Sequence, residues 1–297
     1  MKKIIRYSFI LVLIGLLIPL ASMARDIEPI VSTNWLEQNI NNPKLVIVDI
    51  RKVEDYKAGH IPKAINVIYG SWAVMKAGLR NELPPIDDLS DVISAAGIGP
   101  ESLVVLVGKS DPASRADIPR VAWTLKYAGI GNVAILDGGF EKWAAEKKAL
   151  FTDVVKPKAT NYQSKPNEGL FAKKDYVLGA IGKAVIIDVR EPDFYQGKKK
   201  LEFVAKAGRI KGAINLPTVP AYTQEGTLFK SKADLATQVT AAVGTDTTKE
   251  IITCCDTGRV CTAWAFIMTD LLGYQNVKVY DGSMEEWTKD SAAPVEP

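Results

Sequence analysis

The stretch GIGNVAILDGGFEKW at residues 129–143 returns as GYQNVKVYDGSMEEW at residues 273–287. Three other segments repeat in the same order: LVIVDIR and AVIIDVR (45–51 and 184–190), GHIPKAINV and GRIKGAINL (59–67 and 208–216), and LVVLV and EIITC (103–107 and 250–254). The offset between copies is 139 for Asp49 and Asp188, 149 for Asn66 and Asn215, and 144 for Asp137 and Asp281. Chance similarity does not keep four blocks in one order at nearly one offset, so the sequence predicts one domain present twice.

The repeated segments contain short apolar runs rich in β-branched residues, as expected for strands buried in a sheet. Helix-like stretches lie between them, and Ser32 is placed to cap a helix that starts near Asn34. Strands alternating with helices predict an α/β fold with a parallel sheet in each copy. The polar stretch 153–168 is interpreted as the connection, which gives domains at residues 25–155 and 156–297.

The first 24 residues, MKKIIRYSFILVLIGLLIPLASMA, have the features of a secretory signal peptide. A basic start precedes an apolar run at residues 8–20, which is shorter than the ~20 residues that a membrane-spanning helix needs. Ser22 and Ala24 form a small-x-small cleavage signature. We expect cleavage after Ala24, a periplasmic location and no stable membrane insertion afterwards; an uncleaved anchor is the alternative.

Composition excludes several classes of function. The only histidine is His60 and the three cysteines lie in one segment, so a zinc site with several histidine ligands is impossible, and no metal or cofactor is expected. The 37 basic and 34 acidic residues give a net charge of +3, but the first 24 residues contain three of the basic ones and none of the acidic ones. The remaining chain is formally neutral and has no basic stripe, so nucleic acid is not an expected partner.

The segment IITCCDTGRVCTAW at residues 251–264 contains all three cysteines. The apolar run ends at Cys254, a six-residue loop follows, and a helix is predicted to begin near Cys261. Backbone N–H groups of such a loop, together with the helix N-terminus, favour an anion and lower the pKa of a cysteine. In the first copy Gly108 follows the corresponding strand and the next loop has no cysteine, so that copy is predicted to be catalytically silent.

Taken together, the repeated DxR, G-[HR]-I-x-x-A-I-N and N-V-x-x-x-D-G-[GS]-x-x-x-W motifs resemble those of the rhodanese family, over essentially the whole chain after residue 24. The resemblance implies two tandem rhodanese-like domains, each a mainly parallel five-stranded sheet flanked by helices. It also implies an active site at the domain interface, formed mostly by the C-terminal copy. In the family's C-x-x-G loop the nucleophile stands three residues before the glycine, so Gly258 selects Cys255, and Cys254 is expected to be a buried strand residue.

The resemblance further implies a thiosulfate sulfurtransferase. Sulfur would pass from a small anionic donor, through a persulfide on Cys255, to cyanide or a thiol acceptor. Arg259 is the candidate for binding the donor's oxyanion, with an outward-pointing surface arginine as the alternative. The other loop residues predicted to bind the donor are Asp256, Thr257, Gly258 and Val260, although the Asp256 side chain is expected to face outward. Asp188 and Arg190, from the second DxR motif, are predicted to support the loop.

Several points stay open. Phe194 occupies a position where thiosulfate-using relatives carry an arginine, so the sequence alone does not identify the sulfur donor. Thiosulfate is preferred to 3-mercaptopyruvate. The run Lys198–Lys200 either attracts anions or is solvated surface, and His60 is expected to have a structural role. A disulfide between Cys255 and Cys261 is a competing interpretation. The alternative function is a periplasmic persulfide carrier or a redox or partner-binding module that uses Cys254, Cys255 and Cys261.

Overall fold

The computed structural model describes residues 25–223 and 228–297. The predicted signal peptide therefore lies outside the described residues. Among the residues that are described, no helix is long and apolar enough to cross a lipid bilayer.

The first copy is built on a five-stranded sheet in the order β1-β7-β6-β2-β3, and all its neighbouring strands are parallel. A two-stranded antiparallel hairpin, β4 and β5, projects from it. The strands are β1 (Ile30–Val31), β2 (Leu45–Asp49), β3 (Ile65–Asn66), β4 (Val74–Lys76), β5 (Leu79–Glu82), β6 (Leu103–Val107) and β7 (Val133–Leu136). The flanking helices are α1 (Thr33–Asn39), α2 (Val53–Ala58), α3 (Ile86–Ala95), α4 (Asp117–Tyr127) and α5 (Gly139–Ala145).

The second copy repeats this topology, with a parallel sheet in the order β8-β13-β12-β9-β11. A small antiparallel pair, β10 and β14, lies beside it. The strands are β8 (Phe171–Ala172), β9 (Val185–Asp188), β10 (Arg209–Ile210), β11 (Ile214–Asn215), β12 (Ile251–Cys254), β13 (Val277–Tyr280) and β14 (Val295–Glu296). The helices are α6 (Lys174–Ala180), α7 (Pro192–Tyr195), α8 (Lys232–Val243), α9 (Thr262–Phe266) and α10 (Ser283–Trp287). The predicted fold, with a five-stranded parallel sheet in each copy, is confirmed.

The repeated DxR and Asn motifs hold the end of a central strand in place. In the first copy Asp49 accepts two hydrogen bonds from the guanidinium of Arg51, which also donates to the carbonyl of Gly59 at 2.8 Å. The amide of Asn66 donates to the carbonyls of Asp49 and Arg51, both at 2.9 Å. These groups are buried, and buried polar groups are stable only when each has a partner. The motif therefore recurs because it is a complete hydrogen-bond network.

The second copy has the same network at the equivalent positions. Asp188 binds Arg190, Arg190 donates to the carbonyl of Gly208 at 2.7 Å, and Asn215 donates to the carbonyls of Asp188 and Arg190. The end of β9, next to the cysteine loop, is thus fixed independently of any ligand.

The two copies pack as one unit. Helix α4 of the first copy lies against α9 of the second, and one apolar cluster contains buried residues from both copies. Each copy also extends a segment into the Asp-Gly turn of the other. The backbone N–H of Leu83 donates to the carboxylate of Asp281 at 2.8 Å, and the N–H of Leu228 donates to that of Asp137 at 3.0 Å. Because this exchange is nearly symmetric, the duplicated motif also determines how the copies join.

The polar connection lies along the first copy. The N–H of Thr160 donates to the carbonyl of Ser94 at 2.9 Å, and the hydroxyl of Tyr162 donates to the carbonyl of Ala128 at 2.8 Å. Tyr162 also belongs to the shared apolar cluster. The connection is therefore part of the packed structure rather than a solvated tether.

Glu82, at the end of β5, is a half-buried acid at the boundary between the copies. Burial is the main cause that raises its pKa to about 8, and the negative charges of Asp281 and Glu286 add to the effect, while Arg120 and Lys76 oppose it. The folded protein therefore keeps a proton here at a pH where an unfolded chain, with a pKa near 4.5, has released it.

We predict that Glu82 contributes a fall in the free energy of unfolding as the pH rises from about 4.5 to about 8, because its carboxyl keeps an extra proton in the folded state over this window. The variant Glu82→Gln should remove this component and be more stable than the wild type at pH 8 to 9, with little difference near pH 4. Urea unfolding at each pH measures it, with the exposed Glu202→Gln as the matched control. Equal stability of Glu82→Gln and wild type at pH 9 would refute the prediction.

Candidate active site

Cys255 lies at the start of the loop between β12 and α9, at the wall of a cavity of about 250 Å³. Its side chain is buried and all three cysteines are free thiols. Cys254 and Cys261 are fully buried and do not line this cavity. Of the three sulfur atoms, the one of Cys255 is therefore placed to meet a small molecule.

Ser283, the first residue of α10, holds the cysteine loop in place through its hydroxyl group. Its hydroxyl oxygen accepts hydrogen bonds from the N–H groups of Cys255 at 3.1 Å and Gly258 at 3.0 Å, and its O–H donates to the carbonyl of Tyr280 at 2.8 Å. The same oxygen lies 4.0 Å from the sulfur of Cys255. The backbone of Ser283 is in the left-handed region, with φ at +48°. A non-glycine residue is uncommon there, and the equivalent Gly139 of the first copy has φ at +61°, so the turn after the last sheet strand imposes this conformation in both copies.

The N-terminus of α10 also binds the loop through its backbone. The N–H of Met284 donates to the carbonyl of Cys255 at 3.0 Å, and the N–H of Glu285 donates to that of Asp256 at 2.9 Å. These bonds turn the loop carbonyls toward α10. The remaining N–H groups of the loop are then available to the cysteine sulfur.

The other side of the loop is held by an ion pair that joins the two copies. Arg120 of α4 is fully buried, pairs with Asp281 and donates to the carbonyl of Gly258 at 3.0 Å. Gly258 has φ at +70°, and a Cβ atom there would lie 2.3 Å from the carbonyl oxygen of Asp281. Only glycine fits this approach, so the loop glycine is required by the contact with the Asp-Gly turn.

The environment of Cys255 favours its thiolate. Burial alone would raise the pKa of the thiol and is the strongest influence, and the charge of Asp256 acts in the same direction. Hydrogen bonds from the Cys261 thiol and from the backbone N–H groups of Thr257 and Cys261 outweigh both and lower the pKa of Cys255 to about 7. A substantial fraction of Cys255 is therefore ionised at neutral pH without any histidine.

The other two cysteines have the opposite character. Burial raises the pKa of Cys254, which belongs to β12 and packs in the apolar cluster on the other face of the sheet. Burial also raises the pKa of Cys261, and its hydrogen bond to Cys255 adds to this effect. Cys261 thus serves as a thiol donor to the sulfur of Cys255, and no disulfide joins them in this structure.

Arg259 does not point freely into the cavity or into solvent. Its Nε donates to the carboxylate of Asp117 at 2.6 Å and its Nη2 donates to the carbonyl of Ala113 at 2.5 Å. Both partners belong to the first copy, so this guanidinium connects the cysteine loop to the opposite domain. It lines the cavity with its positive charge already paired.

Asp256 does not face outward, contrary to the expectation from sequence. Its carboxylate lies 3.3 Å from Nη1 of Arg190, and burial raises its pKa, with Arg190 opposing the shift. Arg190 binds Asp188 and also attracts Asp256, which turns inward as its second acidic partner. Both Asp256 and Arg190 line the cavity.

The remaining predicted residues divide between the cavity and the domain boundary. Val260 lines the cavity, whereas Gly258 contacts the Asp281 turn. Thr257 is buried, and its hydroxyl oxygen accepts a hydrogen bond from Asn81 of the first copy at 2.9 Å. Phe194 lines the cavity, so an apolar ring stands at the position discussed above.

The lysine run and the histidine lie away from the cavity. Lys199 is exposed and pairs with Asp193 at 2.7 Å, on the surface. His60 is buried in the first copy, where its ring stacks on Tyr56 at 3.8 Å and its Nδ1 is 2.9 Å from the carbonyl of Tyr56.

Several residues that line the cavity escaped the sequence analysis, and Arg115 and Tyr222 are two of them. Arg115 comes from the long loop after β6 of the first copy, and its guanidinium carbon lies 4.1 Å from the centre of the Tyr222 ring. No motif marks either position. Only the packing of the two copies brings them beside Cys255.

This fold and this cysteine loop define a class of protein. The rhodanese-like domain matches the chain twice, at residues 32–146 and 174–290, so the chain belongs to the rhodanese family. It is a rhodanese-family sulfurtransferase with two copies of the domain.

Curated relatives extend over nearly the whole chain. A protein of Mycolicibacterium smegmatis, provisionally named a thiosulfate sulfurtransferase, is 34% identical over 283 residues, which cover 92% of this chain and 99% of the relative. The sulfur carrier protein TtuD of Thermus thermophilus is 29% identical over 283 residues, which cover 90% of this chain and 96% of the relative.

Solved structures show the same fold. The 3-mercaptopyruvate sulfurtransferase SseA of Escherichia coli is 25% identical with a TM-score of 0.74, covering 86% of this chain and 99% of that one. The anaerobic ergothioneine biosynthesis enzyme of Chlorobium limicola has a TM-score of 0.79 at 22% identity, and the match covers 90% of this chain and 70% of that one. At this identity the similarity is evidence for the fold only.

We predict that alkylation of Cys255 by iodoacetamide has a pH midpoint near 7, because only the thiolate reacts. The variant Cys261→Ala removes the thiol that donates to this sulfur and should move the midpoint upward. Cys261→Ser keeps a donor and is the matched control, expected to stay near the wild type. Rates are measured by intact mass, with Cys255→Ser as the background. An unchanged midpoint in Cys261→Ala would contradict the assigned hydrogen bond.

Proposed function

We propose that this protein is a thiosulfate sulfurtransferase that carries sulfur as a persulfide on Cys255. The observation that carries the proposal is a thiol with a pKa of about 7, held by backbone donors at the wall of a small cavity. Covalent catalysis by cysteine needs an activated thiolate with access to its substrate, and Cys255 meets both conditions.

The proposed reaction has two displacements. The Cys255 thiolate attacks the outer sulfur of thiosulfate; a new S–S bond forms, the S–S bond of the donor breaks, and sulfite leaves with the bonding electron pair. The persulfide then passes its outer sulfur to cyanide, giving thiocyanate, or to a thiol, and the Cys255 thiolate is restored. We expect the N–H groups of Thr257 and Cys261, which stabilise the thiolate, to stabilise the persulfide anion as well.

Thiosulfate is favoured over 3-mercaptopyruvate as the donor because several relatives at 34% to 35% identity are provisionally named thiosulfate sulfurtransferases. SseA, whose structure is similar, uses the other donor class by its name. The cavity of about 250 Å³ suits a small inorganic anion, with Phe194 and Val260 supplying apolar wall.

A second candidate function is a sulfur carrier that hands its persulfide to a protein partner. The similarity to TtuD favours it, since that relative is named a sulfur carrier protein. Both candidates use the Cys255 persulfide. They differ in turnover, because a carrier loads with sulfur but releases it slowly to cyanide or to a small thiol.

We also propose that the protein is exported to the periplasm after cleavage at Ala24. The support is the sequence of the first 24 residues, a basic start, an apolar run and a small-x-small site. Cell fractionation with N-terminal sequencing tests it. A mature chain that begins at Arg25 in the periplasmic fraction is the expected result, and a chain retained in the cytoplasm with its first residues intact would contradict it.

The central experiment is intact mass analysis of the reduced, full-length protein after incubation with thiosulfate. We expect gain of one sulfur atom, its loss on addition of cyanide, and no gain in Cys255→Ser. Cys254→Ser is the matched control, since Cys254 is fully buried outside the cavity, and it should still load.

The outcomes separate the candidates. Loading followed by rapid multiple turnover to thiocyanate supports the enzyme, whereas loading with negligible turnover supports the carrier. Absence of any adduct with thiosulfate and with 3-mercaptopyruvate would overturn both.

A further inference from the structure

Two polar groups that line the cavity, one from each copy, have no hydrogen-bond or ion-pair partner among the described residues. Arg115 is only 9% exposed and its guanidinium stacks on the ring of Tyr222 at 4.1 Å. Within residues 25–223 and 228–297, no carboxylate or carbonyl is bonded to this guanidinium. A nearly buried arginine without an anion is unusual, because charged groups in protein interiors are normally paired.

Tyr222 supplies the second unpartnered group. Its side chain is 5% exposed and its hydroxyl has no hydrogen-bond partner in the described structure. Burial raises the pKa of this hydroxyl, with Arg115 and Arg259 opposing the shift, so it remains a donor at neutral pH. A buried hydroxyl left unpaired costs stability, unless a ligand satisfies it.

The other positive groups of the cavity are already neutralised. Arg259 is paired with Asp117. Arg190 is shared between Asp188 and Asp256, and this group of one arginine and two aspartates has a net negative charge. Arg115 is therefore the uncompensated positive charge among the described basic residues that line this cavity. An anion entering the cavity is attracted to the Arg115 end and repelled from the Asp256 end.

We propose that Arg115 of the silent copy and the Tyr222 hydroxyl bind the oxyanion end of the sulfur donor. The inference rests on the proposed function and assigns the role that the sequence had given to Arg259. The guanidinium donates to two oxygens of the sulfonate group and the phenol donates to a third, a set that matches a tetrahedral anion. The outer sulfur of the donor then faces Cys255, which lines the same cavity.

The proposal gives the silent copy a part in the chemistry. Its loop between β6 and α4 has no cysteine but is long enough to reach across the domain boundary, where it ends beside the cavity. Arg115 is held there by stacking on Tyr222, which is a residue of the catalytic copy. The anion subsite is thus complete only when the two copies are packed together.

The first test measures thiosulfate kinetics in the full-length protein. Tyr222→Phe keeps the ring under Arg115 and removes only the unpartnered hydroxyl, so it should raise the KM for thiosulfate about threefold to tenfold without lowering the Tm. Arg115→Ala should raise it about 10- to 100-fold. Arg209→Ala is the matched control, because Arg209 also stacks on a tyrosine, Tyr195 at 4.4 Å, but does not line the cavity.

The second test does not depend on sulfur transfer. Iodoacetate and iodoacetamide both alkylate the Cys255 thiolate, forming a carbon–sulfur bond with loss of iodide, but only iodoacetate carries a negative charge. Arg115→Ala should slow the reaction with iodoacetate about tenfold relative to that with iodoacetamide. Cys255→Ser gives the background from the two buried cysteines.

The outcomes distinguish this inference from the proposed function. If the wild type forms the persulfide but Arg115→Ala keeps the wild-type KM and the wild-type ratio of alkylation rates, the anion subsite is refuted while the sulfurtransferase stands. If no persulfide forms but the alkylation ratio depends on Arg115, the subsite stands and the proposed donor is wrong.

Discussion

The buried ion pair between Arg120 and Asp281 is the contact on which the site depends. One carboxylate of the second copy receives the guanidinium of α4 and the N–H of Leu83, both from the first copy. Arg120 also binds the carbonyl of Gly258, so the pair fixes the cysteine loop as well as the domain boundary. Removing one partner of a buried pair leaves a charge without compensation, at a cost of about 3–5 kcal/mol. The cysteine loop and the packing of the two copies are therefore one structural unit.

The duplication shows how the same scaffold holds a loop with a cysteine in one copy and a loop without one in the other. Gly108 stands where the second copy has Cys255, and Gly139 stands where it has Ser283. In the first copy a Cβ atom at Gly139 would lie 2.5 Å from the carbonyl oxygen of Gly108, so the loop closes on the turn and leaves no room for a capping hydroxyl. The loop cysteine and the serine that supports its loop are thus both absent from the first copy.

The sequence predicts those features that depend on local pattern, and misses those that depend on how distant segments pack. Alternation of apolar runs and helices is enough for the parallel sheets, and the resemblance to the C-x-x-G loop of the rhodanese family is what singles out Cys255. The pairing of Arg259 with Asp117 joins residues 142 positions apart, and Asp256 turns inward only because Arg190 lies beneath it. Arg115 and Tyr222 have no motif, since their proximity is created by the interface.

The most direct test is a double-mutant cycle on the Arg120–Asp281 pair, read by both urea unfolding and the rate of Cys255 alkylation by iodoacetamide at pH 7. Arg120→Leu and Asp281→Leu should each cost about 3–5 kcal/mol and slow alkylation, because the loop loses a support shared by both copies. The double variant should cost clearly less than the sum of the two. Additive losses, together with wild-type alkylation rates in both single variants, would show that the loop is organised within the second copy alone and would contradict this account.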